Sequence, residues 1–303
     1  MTSVAPHTNP SPTTAVERPV WLPASVWPFE IRSLSVGEHT VAYTDHGTSP
    51  AAAPTLVFVH SGMWSFVFRD VISRLGTEFR CITLDFPGHG LSPEPDGWSL
   101  TLSEHSRILG DVIDELGLHD MVLVLHDLGG VVGAGAAAER ADRISGLVLA
   151  NTFLWRPDRR SLRTMLRIVS SRPLTAVDRL TGFIPRLTTG KAGIGRHLDR
   201  ASKRAFLAGM RQPRQTMRFH HLMRDALRGD ELYRRVEAAT ATSLAGLPVL
   251  TIFGERNDPF GFQERHRATF ADYEGLVVTA GNHFPMMDDP ELFAETVTAW
   301  LRR

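Results

Sequence analysis

The chain has 303 residues, 43% of them hydrophobic and 22% charged, with 33 Lys plus Arg balanced by 33 Asp plus Glu. That length allows one α/β domain with an inserted subdomain, and the neutral balance gives no pointer to nucleic acid. The single cysteine, Cys81, excludes an intrachain disulfide framework and a zinc site built on cysteine pairs.

Residues 1–20 are rich in Pro, Thr, Ser and Ala and lack an apolar core, so the expectation is a disordered leader rather than a secretory signal. No window approaches bilayer-spanning length, which predicts a cytoplasmic protein without membrane insertion. Segments 29–36 and 39–47 alternate in polarity around Gly37-Glu38 and predict an antiparallel hairpin at a sheet edge. From residue 55 the pattern changes to short apolar runs at 55–59, 80–86, 121–125, 144–150, 247–253 and 274–280. Such runs suit buried parallel strands. Amphipathic segments at about 64–75, 102–116, 129–140, 262–270 and 289–302 lie between or after them. Alternation of this kind predicts a doubly wound α/β sheet with right-handed crossovers.

Residues 155–240 break the alternation and read as several arginine-rich helices inserted into a core of 21–154 and 241–303. Residues 156–235 carry 20 Lys/Arg and 6 Asp/Glu, leaving 13 and 27 elsewhere. A neutral total therefore hides a basic insertion on an acidic body, which either presents a solvated helical surface or attracts an anionic or carrier-bound small-molecule substrate.

The segment MVLVLHDLGGVVGAGAAAER runs a buried strand into His126-Asp127-Leu128-Gly129-Gly130 and then into a helix of small residues. The geometry implied is a sharp strand-to-helix turn exposing Asp127 beside the backbone N–H of Leu128 and a helix N-terminus. A carboxylate there can cap the helix or attack carbon to form an ester. Asp258 follows the run 247–253 and His283 the next one, 274–280, so all three residues fall on one sheet edge in the order nucleophile, acid, histidine. In that reading His283 activates water and Asp258 holds the imidazole tautomer.

With these residues in hand, the chain resembles the α/β-hydrolase superfamily over residues 29–302, and within it the haloalkane dehalogenase and epoxide hydrolase branch. The resemblance rests on His60-Ser61-Gly62, the run Asp85-Phe86-Pro87-Gly88-His89-Gly90-Leu91-Ser92, His126-Asp127-Leu128-Gly129-Gly130, Asp258 and Gly281-Asn282-His283-Phe284-Pro285. The run Trp64-Ser65-Phe66-Val67-Phe68-Arg69 is similar to the segment that follows the oxyanion loop in dehalogenases. It implies a mostly parallel eight-stranded sheet, a helical cap at 155–240, and cofactor-independent hydrolysis through an alkyl-enzyme ester. Oxyanion or leaving-group contacts then fall to Leu128, Ser61, Gly62 and Trp64, and pocket contacts to Asn151, Trp155 and Tyr233. No metal site is implied.

Two departures bear on the leaving group. Dehalogenases carry a Trp after the nucleophile where this chain has Leu128, and an Asn or Glu in the oxyanion loop where it reads His60-Ser61-Gly62-Met63. Epoxide hydrolysis calls on cap tyrosines, and only Tyr233 of the three tyrosines lies near the insertion, with His220 and His221 as further donors. A redeployed lyase, isomerase or cyclase with Asp127 and His283 as acid and base is a further reading, as is a binding protein without catalysis. Asp85 and His89 read as structural.

Overall fold

A computed structural model describes residues 13–48, 53–94, 100–191, 193–211 and 215–303. Among them nine strands form one sheet: β1 (Thr14–Ala15), β2 (Arg32–Val36), β3 (His39–His46), β4 (Thr55–Ser61), β5 (Cys81–Asp85), β6 (Met121–Asp127), β7 (Ile144–Thr152), β8 (Val249–Gly254) and β9 (Tyr273–Val278). Their order is β1-β2-β3-β5-β4-β6-β7-β8-β9, antiparallel through β3–β5 and parallel from β5 to β9. The expected hairpin is β2–β3, with Val36 opposite His39.

Successive side chains of a strand point to opposite faces, so a strand buried at every position needs cover on both. β4, β5 and β6 meet that condition almost throughout. The cover comes from α1 (Arg69–Leu75), α2 (Leu102–Glu115), α3 (Gly129–Ala138), α10 (Phe262–Thr269), α11 (Pro285–Asp288) and α12 (Pro290–Leu301). Between β7 and β8 lie α4 (Arg160–Val169), α5 (Arg172–Thr181), α6 (Phe183–Thr188), α7 (Arg200–Gly209), α8 (Gln215–Asp225) and α9 (Asp230–Thr240). The arginine-rich run is thus helical.

A buried polar knot ties this insertion together. Asp178 of α5 accepts from the Ile184 N–H at 2.7 Å and meets His220 Nε2 of α8 at 3.0 Å, while His220 Nδ1 bonds the Val169 carbonyl. No helix among the described residues is long and apolar enough to cross a membrane.

Three expectations need correcting. The sheet has nine strands rather than eight, because part of the supposed disordered leader adds β1 to the edge. The open edge of β2 offers unpaired backbone groups; Thr14 lies opposite Ser33, and Arg18 bonds the carbonyls of Trp27 and Phe29. Residues 1–12 of that leader lie outside the described residues. The third concerns β9, which is not a buried central strand but a largely exposed one closing the other edge of the sheet.

Small residues after Asp127 are a steric requirement. A Cβ on Gly129 would stand 2.3 Å from the Val59 carbonyl oxygen, and one on Gly130 would stand 1.9 Å from Thr152 Oγ1. Gly130→Ala is therefore expected to lower stability by roughly 1–3 kcal/mol through overpacking. Urea denaturation checks this; an unchanged midpoint would contradict the close approach of α3 to β7.

Candidate active site

β6 ends at Asp127, whose φ of +52° lies in the left-handed region that non-glycine residues rarely occupy. Such a conformation costs on the order of 1–3 kcal/mol and persists only where the surroundings enforce it. Here the enforcement comes from α3 starting two residues later and from Thr152 Oγ1, which donates to the Asp127 carbonyl. The turn carries Asp127 off the strand end at the start of α3.

His283 Nε2 lies 3.7 Å from Asp127 Oδ2. Its loop, between β9 and α11, is held from three sides. His126 Nε2 donates to the His283 carbonyl at 2.8 Å, Asn151 Nδ2 donates to the Asn282 carbonyl at 2.7 Å, and Asp288 accepts from the Asn282 N–H. Burial alone would push the Asp127 carboxyl up, but the neighbouring His283 outweighs it and holds the carboxyl at about 2. Asp127 is thus an anion at any ordinary pH.

The acid expected to orient His283 is elsewhere. Both Asp258 oxygens cap α10, accepting from the N–H groups of Phe262 at 2.7 Å and Gln263 at 2.9 Å. An aspartate four residues before a helix's first free N–H groups satisfies them well, and here that use wins. The side chain facing His283 Nδ1 is the amide of Asn257, whose Nδ2 lies 3.1 Å from it. Asn257 and Asp258 are adjacent, and the sequence reading takes the carboxylate and passes over the amide.

A cavity of about 450 Å³ opens above Asp127. Its walls are apolar, with Phe153, Leu162, Leu166, Ile184, Phe219 and Met223 among them. Leu128 and Met63 also line it, and the polar side chains lining it among the described residues are Asp127, Asn151, Thr188, Asn257 and His283. Several of these are already engaged: Asn151 spans the Asn282 carbonyl and the Gly254 N–H, and Thr188 donates to the Ile184 carbonyl.

Several expected contacts do not reach this cavity. Trp64 is buried with Trp21, Trp27 and Phe206, its ring centroid 5.7 Å from that of Trp21. Trp155 packs on Phe262 and His266 under the Arg265 guanidinium. Tyr233 is buried and donates to the Ala226 carbonyl at 3.1 Å. Ser61 is buried, with its hydroxyl 2.9 Å from His105 Nδ1, and the oxyanion-loop residue that lines the cavity is Met63, not Ser61 or Gly62. For Trp64, Trp155 and Tyr233, packing of large amphipathic side chains against the core decided a placement that spacing alone left open. Asp85 is structural as expected, accepting from the N–H groups of Ser65 and Leu91 and so joining the loop after β4 to the turn after β5.

Beneath Asp127 lies a set of buried imidazoles. Burial holds His60 down at about 4, His89 at about 3, and His105 and His126 well below the ordinary range; His266, behind Trp155, is at about 4. In the unfolded chain such groups titrate near pH 6.5. The unfolded state then gains protons that the native state refuses, so stability present above about pH 6.5 is lost as pH falls, by about 1.4 kcal/mol per pH unit for each ring. Asp85, pushed up to about 6 by burial, opposes this between about pH 4 and 6. The urea midpoint is expected to fall between pH 7 and pH 5; a constant midpoint would mean the rings are not buried neutral.

The sheet order, the left-handed Asp127 and the histidine loop at the same sheet edge define an α/β hydrolase. The chain belongs to the alpha/beta hydrolase family, whose model matches residues 56–296. It is 31% identical over 280 residues to haloalkane dehalogenase 2 of Mycobacterium tuberculosis, covering 90% of this chain and 95% of that protein. It is 24% identical over 282 residues to a cis-3-alkyl-4-alkyloxetan-2-one decarboxylase of Xanthomonas campestris, with 87% and 92% covered. The fold is shared with the haloalkane dehalogenase DbeA of Bradyrhizobium elkanii, at a TM-score of 0.77 and 22% identity over 90% of this chain and 97% of that one. The chain is thus a haloalkane dehalogenase-like enzyme of the α/β hydrolase family.

Proposed function

We propose that Asp127 attacks an electrophilic carbon of a neutral, largely apolar molecule held in this cavity, and that His283 then drives hydrolysis of the resulting ester. The observation that carries the reading is an ionised carboxylate facing an apolar cavity with an imidazole nitrogen 3.7 Å away. In the first step a bond forms between Asp127 oxygen and substrate carbon, and the leaving group departs with the electron pair. In the second, His283 takes a proton from water as the oxygen attacks the Asp127 carbonyl carbon. Collapse releases the alcohol and restores the carboxylate. The second step sets up an oxyanion for which the N–H groups of Leu128 and Met63 are the nearest candidates, both residues lining the cavity.

Single turnover in 18O-water is expected to place label in Asp127 itself, read by mass spectrometry of its peptide. Asp127→Ala should abolish turnover, and His283→Gln should let the ester accumulate. Label found in product but never in the protein would sink the covalent route.

Asn257 takes the third place in this reading. The amide turns Nδ2 toward Nδ1 in the structure; flipped end for end, a change that costs little, its oxygen accepts the Nδ1–H and leaves Nε2 bare toward the cavity. It orients the ring without adding negative charge. Asn257→Ala is expected to lower kcat by roughly 100-fold with little change in KM. Asp258→Ala should leave kcat within a few-fold and lower stability by about 1 kcal/mol through the lost helix cap. The reverse ranking in kcat would return the role to Asp258.

A second reading is favoured by what the lining offers a leaving group. Among the described lining residues, Asn151 and Thr188 are already engaged, and Leu128 and Met63 offer a departing halide no side-chain donor. A strained four-membered lactone needs no such clamp, since loss of CO2 from the ring yields an alkene without a free halide. The similarity to an oxetanone decarboxylase points the same way. Epoxide opening has less support, because no tyrosine lines the cavity among the described residues. Incubating the enzyme with a bromoalkane, an epoxide and a cis-dialkyl oxetanone separates the three through bromide, diol or alkene as product.

A further inference from the structure

The exposed apolar side chains of this protein are concentrated on the insertion. Leu180 is 87% exposed, Ile168 60%, Leu187 55%, Val177 49% and Met165 45%, with Phe183 close behind. They belong to α4, α5 and α6, three consecutive elements. Met165 and Leu187 also line the cavity above Asp127, so this apolar surface is continuous with the rim of the cavity. The short α6 separates two hollows. Ile184 and Leu187 face the Asp127 cavity, while Pro185 and Arg186 face a neighbouring cleft of about 580 Å³ that Leu180 and Arg179 also line.

The exposed charge carried by these elements themselves has one sign. Residues 160–188 contain six arginines, Arg160, Arg163, Arg167, Arg172, Arg179 and Arg186, of which all but Arg163 are exposed. The one carboxylate in that span, Asp178, is buried against His220 and offers the surface nothing. Large exposed apolar side chains cost free energy in water and mark an interaction surface. Apolar side chains flanked by arginines, without exposed acid, suit a bilayer surface in which the acyl region takes the former and anionic head groups the latter. A second copy of the chain would bring five exposed arginines against five.

We propose that the α4–α6 face docks peripherally on anionic membrane surfaces, placing the cavity rim against the lipid so that a lipophilic substrate enters Asp127's cavity from the bilayer. The docking stands on the surface alone; only the delivery of substrate rests on the function proposed above.

The test is co-sedimentation of the purified full chain with vesicles of phosphatidylcholine alone and of phosphatidylcholine with phosphatidylglycerol. Binding is expected to the anionic vesicles, weakening with added salt, and not to the zwitterionic ones. The triple variant Arg167→Glu, Arg179→Glu, Arg186→Glu should reduce partitioning roughly tenfold or more. Ile168→Ser with Leu180→Ser should reduce it as well, and these exposed positions leave the fold intact by circular dichroism. Absence of binding to anionic vesicles, or equal binding by both variants, overturns the proposal. So does light scattering that shows a wild-type dimer lost in the variants, which would make the face a self-association surface. Because binding is read without turnover, its failure leaves the Asp127 chemistry standing, and failure of that chemistry leaves the docking standing.

Discussion

The architecture of the site depends on one backbone constraint: an aspartate held in the left-handed conformation between a buried strand and a helix that starts at once. Asp127 can occupy φ +52° only because α3 lies close against β4 and β7, and α3 can lie there only because Gly129 and Gly130 present no Cβ to Val59 and Thr152. The strain of that turn, on the order of 1–3 kcal/mol, is offset by the packing of a strand buried on both faces. What it achieves is a carboxylate lifted clear of its own strand.

Around this turn the polar groups do two separate jobs. His126, Asn151 and Asp288 hold the His283 loop from behind, each through a backbone atom of Asn282 or His283. Asp127, His283 and Asn257 face the cavity. The division explains why polar side chains near the nucleophile position are not all available for chemistry. Asn151 lines the cavity, yet both ends of its amide are committed to fixing the loop. The buried imidazoles beneath the site are likewise spent on packing and on backbone carbonyls, and burial keeps them neutral.

The insertion carries two surfaces of opposite character. Its inner side contributes apolar walls to the cavity, and no arginine lines that cavity among the described residues. Its outer side combines arginines with unburied Leu, Ile and Met side chains. The Asp178–His220 pair, buried between α5 and α8, couples the two by fixing how these helices pack.

Much of this was written in local pattern. Short apolar runs alternating with amphipathic segments specify buried strands between helices, because period and length are local properties of the chain, and the left-handed turn at Asp127 was legible from the glycines that follow it. The order of Asp127 before His283 at strand ends on one edge of the sheet followed from the same alternation. Which side chains converge did not. Asp258 and Asn257 are adjacent, and only the position of the α10 N-terminus sends one to cap a helix and the other to the imidazole. Trp64, Trp155 and Tyr233 had the chemistry for a pocket, but large side chains go where they can bury the most surface, and that is settled by neighbours distant in sequence such as Trp21, His266 and Ala226. Backbone pattern is short-range information; the direction of a side chain at a strand end depends on contacts that exist only once the sheet and its helices have assembled.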